Sequence, residues 1–259
     1  MSRPIYYHYT TIAGCLGIIT SRRVWLTDYR FLNDKQELKQ GLSALLAHLA
    51  VEKRESFERA FLWHGMNTHH CVLSMSKSPK ILSQWRAYAA DGTGVAIGFD
   101  DLFLKFAKID LVDCQYENHE TYAQELATKY ASFADSVHQA RLDNPAENSF
   151  MEWINQHKEN FSAIVKDIIA LKNPAFVEEQ EVRAVQSVDH GTVKMRLSNQ
   201  LLIPYTEANF WEDNEAISSM AVVIPEIWLG PKCNELNRTA LAAINIGMCM
   251  VERYDCGYV

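Results

Sequence analysis

Hydrophobic and polar positions alternate at spacings of two, or recur every three to four residues, along most of the chain. Ile5-Tyr6-Tyr7-His8-Tyr9-Thr10-Thr11 reads as an aromatic strand. A helical run over residues 12–21 and a second strand over 24–28 follow. Alternation in the first strand puts Tyr6, His8 and Thr10 on one face and Ile5, Tyr7 and Tyr9 on the other. Asp34 is placed to cap the next helix, with Glu37 as its capping-box partner. Leu38, Leu42, Leu45, Leu46 and Leu49 then recur at helical spacing.

Residues 71–76 read as a strand, 82–90 as a short helix, Gly92-Thr93-Gly94 as a turn, 95–100 as a buried strand and 111–116 as a further strand. From about residue 120 to 172 the pattern is helical, with a break near Asp143-Asn144-Pro145. Trp153, Ile154, Phe161, Ile164, Val165 and Ile168 form the apolar stripe of its second half. Strand patterns return at 179–187, 195–205, 221–229 and 248–254. The two strand-rich parts flank the helical segment, and neither holds an obvious complete sheet. The expected organisation is a single α+β domain over 1–259, with a helical hairpin inserted at about 118–172.

The 259 residues suffice to bury a sizeable core, and 48% hydrophobic with 22% charged residues is an ordinary balance for a globular chain. A net charge of −7 argues against a broad nucleic-acid-coating surface, which needs clustered Lys and Arg. No apolar run is long enough to span a bilayer, and the start lacks the pattern of a signal peptide, so a cytoplasmic protein is expected. Six scattered cysteines form no C-x-x-C pair and are expected to be reduced. His64, His69, His70 and Cys71 lie close in sequence, but adjacent histidines on a strand face opposite ways and no second ligand pair completes a metal site.

Three polar constellations remain. His8 and Thr10 share a face of the first strand. Ser74 and Ser76 share a face of theirs, upstream of Trp85, Arg86 and Tyr88. Trp85 and Tyr88 offer flat rings for stacking a nicotinamide or base, and Arg86 offers a fork for phosphate. The bland alternative makes Trp85 a core anchor, and Arg86 fits a surface salt bridge as well as a pocket. As a strand, residues 176–185 project Glu179, Glu181 and Arg183 to one side. Such a row is either a solvated edge or a catalytic carboxylate with a second acid beside it.

The chain resembles the bacterial family DUF2971. The likeness rests on Tyr7-His8-Tyr9-Thr10, on residues 24–28 with Asn33-Asp34-x-x-Glu37-Leu38, and on Leu82-Ser83-Gln84-Trp85-Arg86-x-Tyr88 with 94–99. Phe176-x-x-Glu179-x-Glu181-x-Arg183 and Ile227-x-Leu229-Gly230-Pro231 continue it. The His8-x-Thr10 opening also looks like the start of DarT-like enzymes and RNA 2′-phosphotransferases, of the ADP-ribosyltransferase superfamily. That resemblance implies a split β-sheet core that binds NAD as co-substrate. His8 would hold a ribose hydroxyl, Tyr29 or Tyr88 would stack on nicotinamide, Arg86 would meet the pyrophosphate, and Glu181, with Glu179 before it, would be catalytic. Ser74 loosely resembles the serine of the R-S-E branch. The function so implied is transfer of ADP-ribose to a protein or nucleic-acid acceptor. The alternative is a non-catalytic nucleotide- or partner-binding module on the same fold, in stress response or phage defence. Hydrolysis of NAD, or phosphate transfer from RNA, would share the fold, but the phosphotransferase needs more arginines near the histidine.

Overall fold

The computed structural model describes residues 3–32, 35–107, 109–209, 223–244 and 249–258. The cap read at Asp34 with Glu37, and Asn33, Ala221, Val222 and Met248, lie outside the described residues. The protein is mixed α/β, with helices on both faces of one open, mixed sheet.

Ten strands build the sheet: β1 (Ile5–Thr10), β2 (Arg23–Asp28), β3 (Thr68–Ser76), β4 (Val95–Asp100), β5 (Asp110–Asp113), β6 (Glu181–Asp189), β7 (Lys194–Ser198), β8 (Leu201–Asn209), β9 (Glu226–Leu229) and β10 (Met250–Arg253). Their order is β10-β9-β4-β1-β3-β2-β8-β7, with β6 also on β3 and β5 outside β6. Every pair is antiparallel except β9 with β10. Strands from before and after the helical segment therefore share one hydrogen-bonded sheet.

The register around β3 shapes the rest. Strand β6 pairs with β3 along its whole length, from Thr68↔Asp189 to Ser76↔Glu181. A strand has two edges, so β1 and β2 must share the other one. There β2 pairs only at Val72 and Cys71, and β1 only at Ser76. The two strands diverge, and the sheet splits beside residues 73–75.

Alternation sends side chains of the sheet into separate cores. On one face Leu73, Met75, Val95, Ile97, Phe99, Ile227 and Leu229 pack under α1 (Ile12–Ser21), α5 (Asp101–Phe106) and α10 (Leu236–Ala243). On the other, Val72 and Val185 pack against α2 (Lys35–His48), α3 (Val51–Asn67), α6 (His119–Lys129), α7 (Ala131–Asp143), α8 (Glu147–Gln156) and α9 (Lys158–Ile168). Helix α4 (Leu82–Tyr88) covers the same face at Tyr7, Tyr9 and Ala96, forming a third small core around Trp85.

Several sequence expectations are corrected here. The segment expected as a helical hairpin is four helices, broken at Tyr130, Asn144 to Ala146 and His157. Helix α3 had no counterpart in the reading, because its charged residues dilute the apolar stripe of Phe57, Ala60 and Phe61. Residues 195–205 are a hairpin and not one strand, reversed at Asn199 and Gln200, both with positive φ (46° and 64°). Gly92, at φ 85°, closes a tight turn, and a Cβ on Gly94 would lie 2.3 Å from the Thr10 carbonyl oxygen. Gly230 N donates to Gly94 O at 3.0 Å, so the two glycines let that turn and the β9 exit meet backbone to backbone.

The neighbouring histidines separate as alternation requires. His69 meets Asp28 Oδ2 (2.6 Å) and His190 Nδ1 (3.0 Å). His70 faces the helical layer, with its Nε2 3.1 Å from His64 Nε2 and its Nδ1 2.9 Å from Ser187 Oγ. Burial pushes His64 down to about 4 and His70 to about 3, so both are neutral in the native state. In the unfolded chain they protonate near 6.5. The unfolded state thus binds more protons below that pH, and the native state loses stability as pH falls from 6.5 toward 4 and 3. Urea-unfolding free energy is expected to fall by several kcal/mol between pH 7 and 4.5, and the slope between pH 6.5 and 5.5 is expected to shrink in His64→Gln. An identical slope in the variant would show that the buried pair does not drive the acid sensitivity.

Candidate functional site

The split in the sheet leaves backbone groups of β3 in need of partners. His8 fills that need: its Nδ1–H donates to the Ser74 carbonyl oxygen at 3.0 Å. The bond fixes the tautomer, because a carbonyl only accepts, and leaves Nε2 as a lone-pair acceptor. Burial lowers the His8 pKa from its ordinary value, partly offset by the Ser74 carbonyl, so the ring is neutral near pH 7. Beside this bond lies an open cleft of about 100 Å³, lined by His8, Tyr9, Leu32, Ser74, Met75, Gln84, Tyr88, Lys172, Glu179 and Glu181.

The cleft floor is ionic. Glu179 ends a 3-10 turn over Pro174–Glu179, Gln180 takes a left-handed backbone (φ 46°), and Glu181 opens β6. That kink lets both glutamates reach the same cation. Lys172 Nζ donates to Glu179 Oε2 at 2.5 Å and also to Glu181 Oε2. Arg183 Nε donates to Glu181 Oε1 at 3.1 Å and Nη2 to Oε2 at 3.3 Å. All four side chains are buried. Burial alone would raise the Glu181 pKa, but Arg183 and Lys172 overcome it and bring it down to about 2. Burial likewise works against the charge on Lys172, and the two carboxylates more than reverse that, raising it well above the ordinary value. Glu181 and Lys172 therefore stay charged at any pH near neutrality.

Lys172 is set by backbone bonds just past α9. Its N–H donates to Gln115 O (3.0 Å), and Gln115 N–H donates to Ala170 O (2.7 Å). The opposite wall is α4, which carries Gln84 and Tyr88. The Gln84 carboxamide has no hydrogen-bond partner among the described residues, while the Tyr88 ring is largely exposed at the cleft mouth.

Of the residues singled out from the sequence, His8, Ser74, Tyr88, Glu179 and Glu181 line this one cleft. The other four do not. Trp85 is wholly buried, donates from Nε1 to Pro79 O (2.9 Å) and meets the Tyr9 ring edge-on, so it anchors α4 to β1 and has no face left for a ligand. Arg86 points to the far side of α4, with Nε 4.0 Å from the Asp91 carboxylate and its guanidinium 5.8 Å from the Tyr258 ring centre. Thr10 pairs with Val95 in the β1–β4 ladder. Tyr29 opens a 3-10 turn after β2 and packs near His70 in the helical-side core. Lys172 and Gln84 were not singled out. Lys172 carried one signal: a charge directly after the apolar run Ile168-Ile169-Ala170-Leu171.

The family model described as "Protein of unknown function (DUF2971)" matches residues 84–184. That span runs from Gln84 on α4 through Lys172, Glu179 and Glu181 to Arg183, so the family likeness drawn from the sequence takes in the α4 wall of the cleft and its ionic floor, while Tyr9, Leu32 and Met75 fall outside it. His8 and Ser74 lie outside the matched residues. No curated protein and no solved structure matches the chain. No helix among the described residues is long and apolar enough to cross a membrane.

Removing Arg183 leaves the buried floor one cation short. Arg183→Met is expected to cost about 3–5 kcal/mol of unfolding free energy, whereas Glu181→Gln should cost less, because Lys172 keeps Glu179 and Arg183 keeps its bond to Ile169 O. Chemical denaturation of both variants checks this, and equal losses would contradict the ordering.

Proposed function

We propose that this protein, whose DUF2971 match takes in the ionic floor of the cleft, is an NAD-dependent ADP-ribosyltransferase acting on a protein or nucleic-acid acceptor. The observation that carries the reading is the meeting of His8 and Glu181 on one cleft at a split in the sheet. The split itself supports an ADP-ribosyltransferase-like core.

In this reading NAD is a substrate, and its nicotinamide glycosidic bond is the one broken. His8 Nε2, a fixed acceptor, takes a hydrogen bond from a ribose hydroxyl. Glu181, held ionised by its neighbours, accepts a second hydroxyl and sits where positive charge develops on the nicotinamide ribose. With a pKa near 2, Glu181 does not serve as general acid or base at neutral pH. Tyr88, exposed at the mouth, is better placed to stack on a flat ring than Tyr29, and Gln84 offers donor and acceptor to a carboxamide or hydroxyl. Arg86 has no part in holding the pyrophosphate, since it faces away.

A second reading, a non-catalytic nucleotide-binding module, is favoured by one observation. Arg183 and Lys172 neutralise Glu179 and Glu181, which weakens the field available to a developing cation. The two readings separate in one experiment. Purified protein is incubated with NAD, nicotinamide release is followed, and thermal shift by NAD is measured alongside, with Glu181→Gln and His8→Ala in parallel. The transferase reading expects release that falls by about 100-fold or more in Glu181→Gln, of the size seen when one transition-state contact is lost, with thermal shift retained. A thermal shift without release selects the binding module. Neither shift nor release would overturn both.

A further inference from the structure

Two buried carboxylates only one residue apart in sequence repel each other and lose hydration. Something must hold them ionised, or one of them takes up a proton. Arg183 grips both oxygens of Glu181 and also donates to the Ile169 carbonyl. Lys172 alone is seen to touch both acids, donating to Oε2 of each.

Resting on the reading of the cleft given above, we infer that Lys172 is a positioning residue: it clamps Glu179 and Glu181 together as a doubly ionised pair, so that Glu181 meets a ligand as a fixed hydrogen-bond acceptor and not as an acid or base.

The surroundings bear this out on every side. From β6 Arg183 faces Glu181, and from β1 neutral His8 lines the same cleft. Tyr116 OH accepts the Glu181 backbone N–H at 2.7 Å, which leaves the phenol tied to backbone. Ser76 Oγ on β3 donates to the Glu179 backbone carbonyl at 2.8 Å and fixes the turn. On β5 the charges are Asp110, paired with Lys166, and Asp113, which is exposed and paired with Lys77 at 2.7 Å. From α4 come Gln84 and the phenol of Tyr88. The Phe176 ring lies 5.4 Å from the Lys172 ammonium, and neighbouring Val177 is exposed. Among these groups only Lys172 couples the two carboxylates.

The test needs no ligand. Carboxyl-13C-glutamate NMR is recorded from pH 8 to pH 4 on the full chain, with Glu179→Gln and Glu181→Gln used to assign the two resonances. In the wild type the Glu181 resonance is expected to stay at its carboxylate position throughout. In Lys172→Met one carboxylate of the pair should titrate between about pH 5 and 8, because two neighbouring buried acids lose the ammonium they share. Lys172→Arg should abolish that titration again, which a purely space-filling role would not do. The double variant Lys172→Met/Glu179→Gln removes one charge of each sign, so it should show no neutral-range titration and should melt higher than Lys172→Met. A folded Lys172→Met without a new titration would overturn the inference. Should Lys172→Met not fold, a double variant that is no more stable would overturn it equally. Nicotinamide release by the wild type judges the transferase reading separately, so failure of one leaves the other decided on its own data.

Discussion

The His8–Ser74 bond is the contact on which the cleft depends. Strand β3 is fully paired on its β6 edge, but β1 and β2 approach its other edge from the same direction and diverge. The Ser74 carbonyl lies at the exposed split, so the imidazole replaces a bond to water at a net gain of about 0.5–1.5 kcal/mol. The imidazole supplies the donor where backbone cannot, because a side chain can cross a gap that a ladder would have to close. One residue thus bonds the strand edge at the split and lines the cleft beside it. A lysine there would bring a charge in place of a directional acceptor, and a leucine would leave the carbonyl unmet.

Two polar networks run through this sheet and obey different rules. Around His64, His70 and Ser187 the groups are neutral and far along β3 from the cleft, and both imidazoles are tightly buried. Their cost is small at neutral pH and grows with acid. At the cleft floor the groups are charged, and taking four ions out of water is expensive at every pH. Two cations against two carboxylates cancel the charge but do not recover all the lost hydration. An apolar floor of similar volume would be at least as stable by the same reasoning. The quartet is better understood as a device that fixes the direction of Glu181 than as one that holds the fold together.

How much of this was legible follows from the physics of each residue. The β1 face bearing His8 could be read, because a strand's alternation is a local property. So could Ser74 and Glu181, each on a strand whose period was clear. Trp85 and Arg86 were misjudged as ligand contacts, since helical position says which residues share a face but not which face meets the cleft. Here α4 turns Trp85 into the core and Arg86 outward. Glu179 was placed on the right side for the wrong reason. It lies in a 3-10 turn, and the left-handed Gln180 brings it beside Glu181. Lys172 stayed hidden because its role comes from the Gln115 backbone pairing, a contact far apart in sequence with no local pattern. The split was invisible for the same reason: it is a property of which strands compete for one edge.

The electrostatics of the floor set how such a site works. Unit charges 4 Å apart at an effective dielectric of about 20 interact by roughly 4 kcal/mol, and this falls only as the inverse of distance. A positive charge developing near Glu181 is attracted by that carboxylate and repelled by Arg183 and Lys172 close behind it. Glu179 adds attraction from slightly farther away. The opposing contributions are of similar size, so the net field on a developing cation is a fraction of what an isolated carboxylate would give. What survives cancellation is direction: a hydrogen bond acts over one contact and depends on where the oxygen points. On the proposed transferase reading, chemistry in this cleft would draw chiefly on fixed orientation of the substrate between His8 and Glu181. On that reading the ribose hydroxyls of the proposed substrate, and not a bare cation, are the groups Glu181 is oriented to meet.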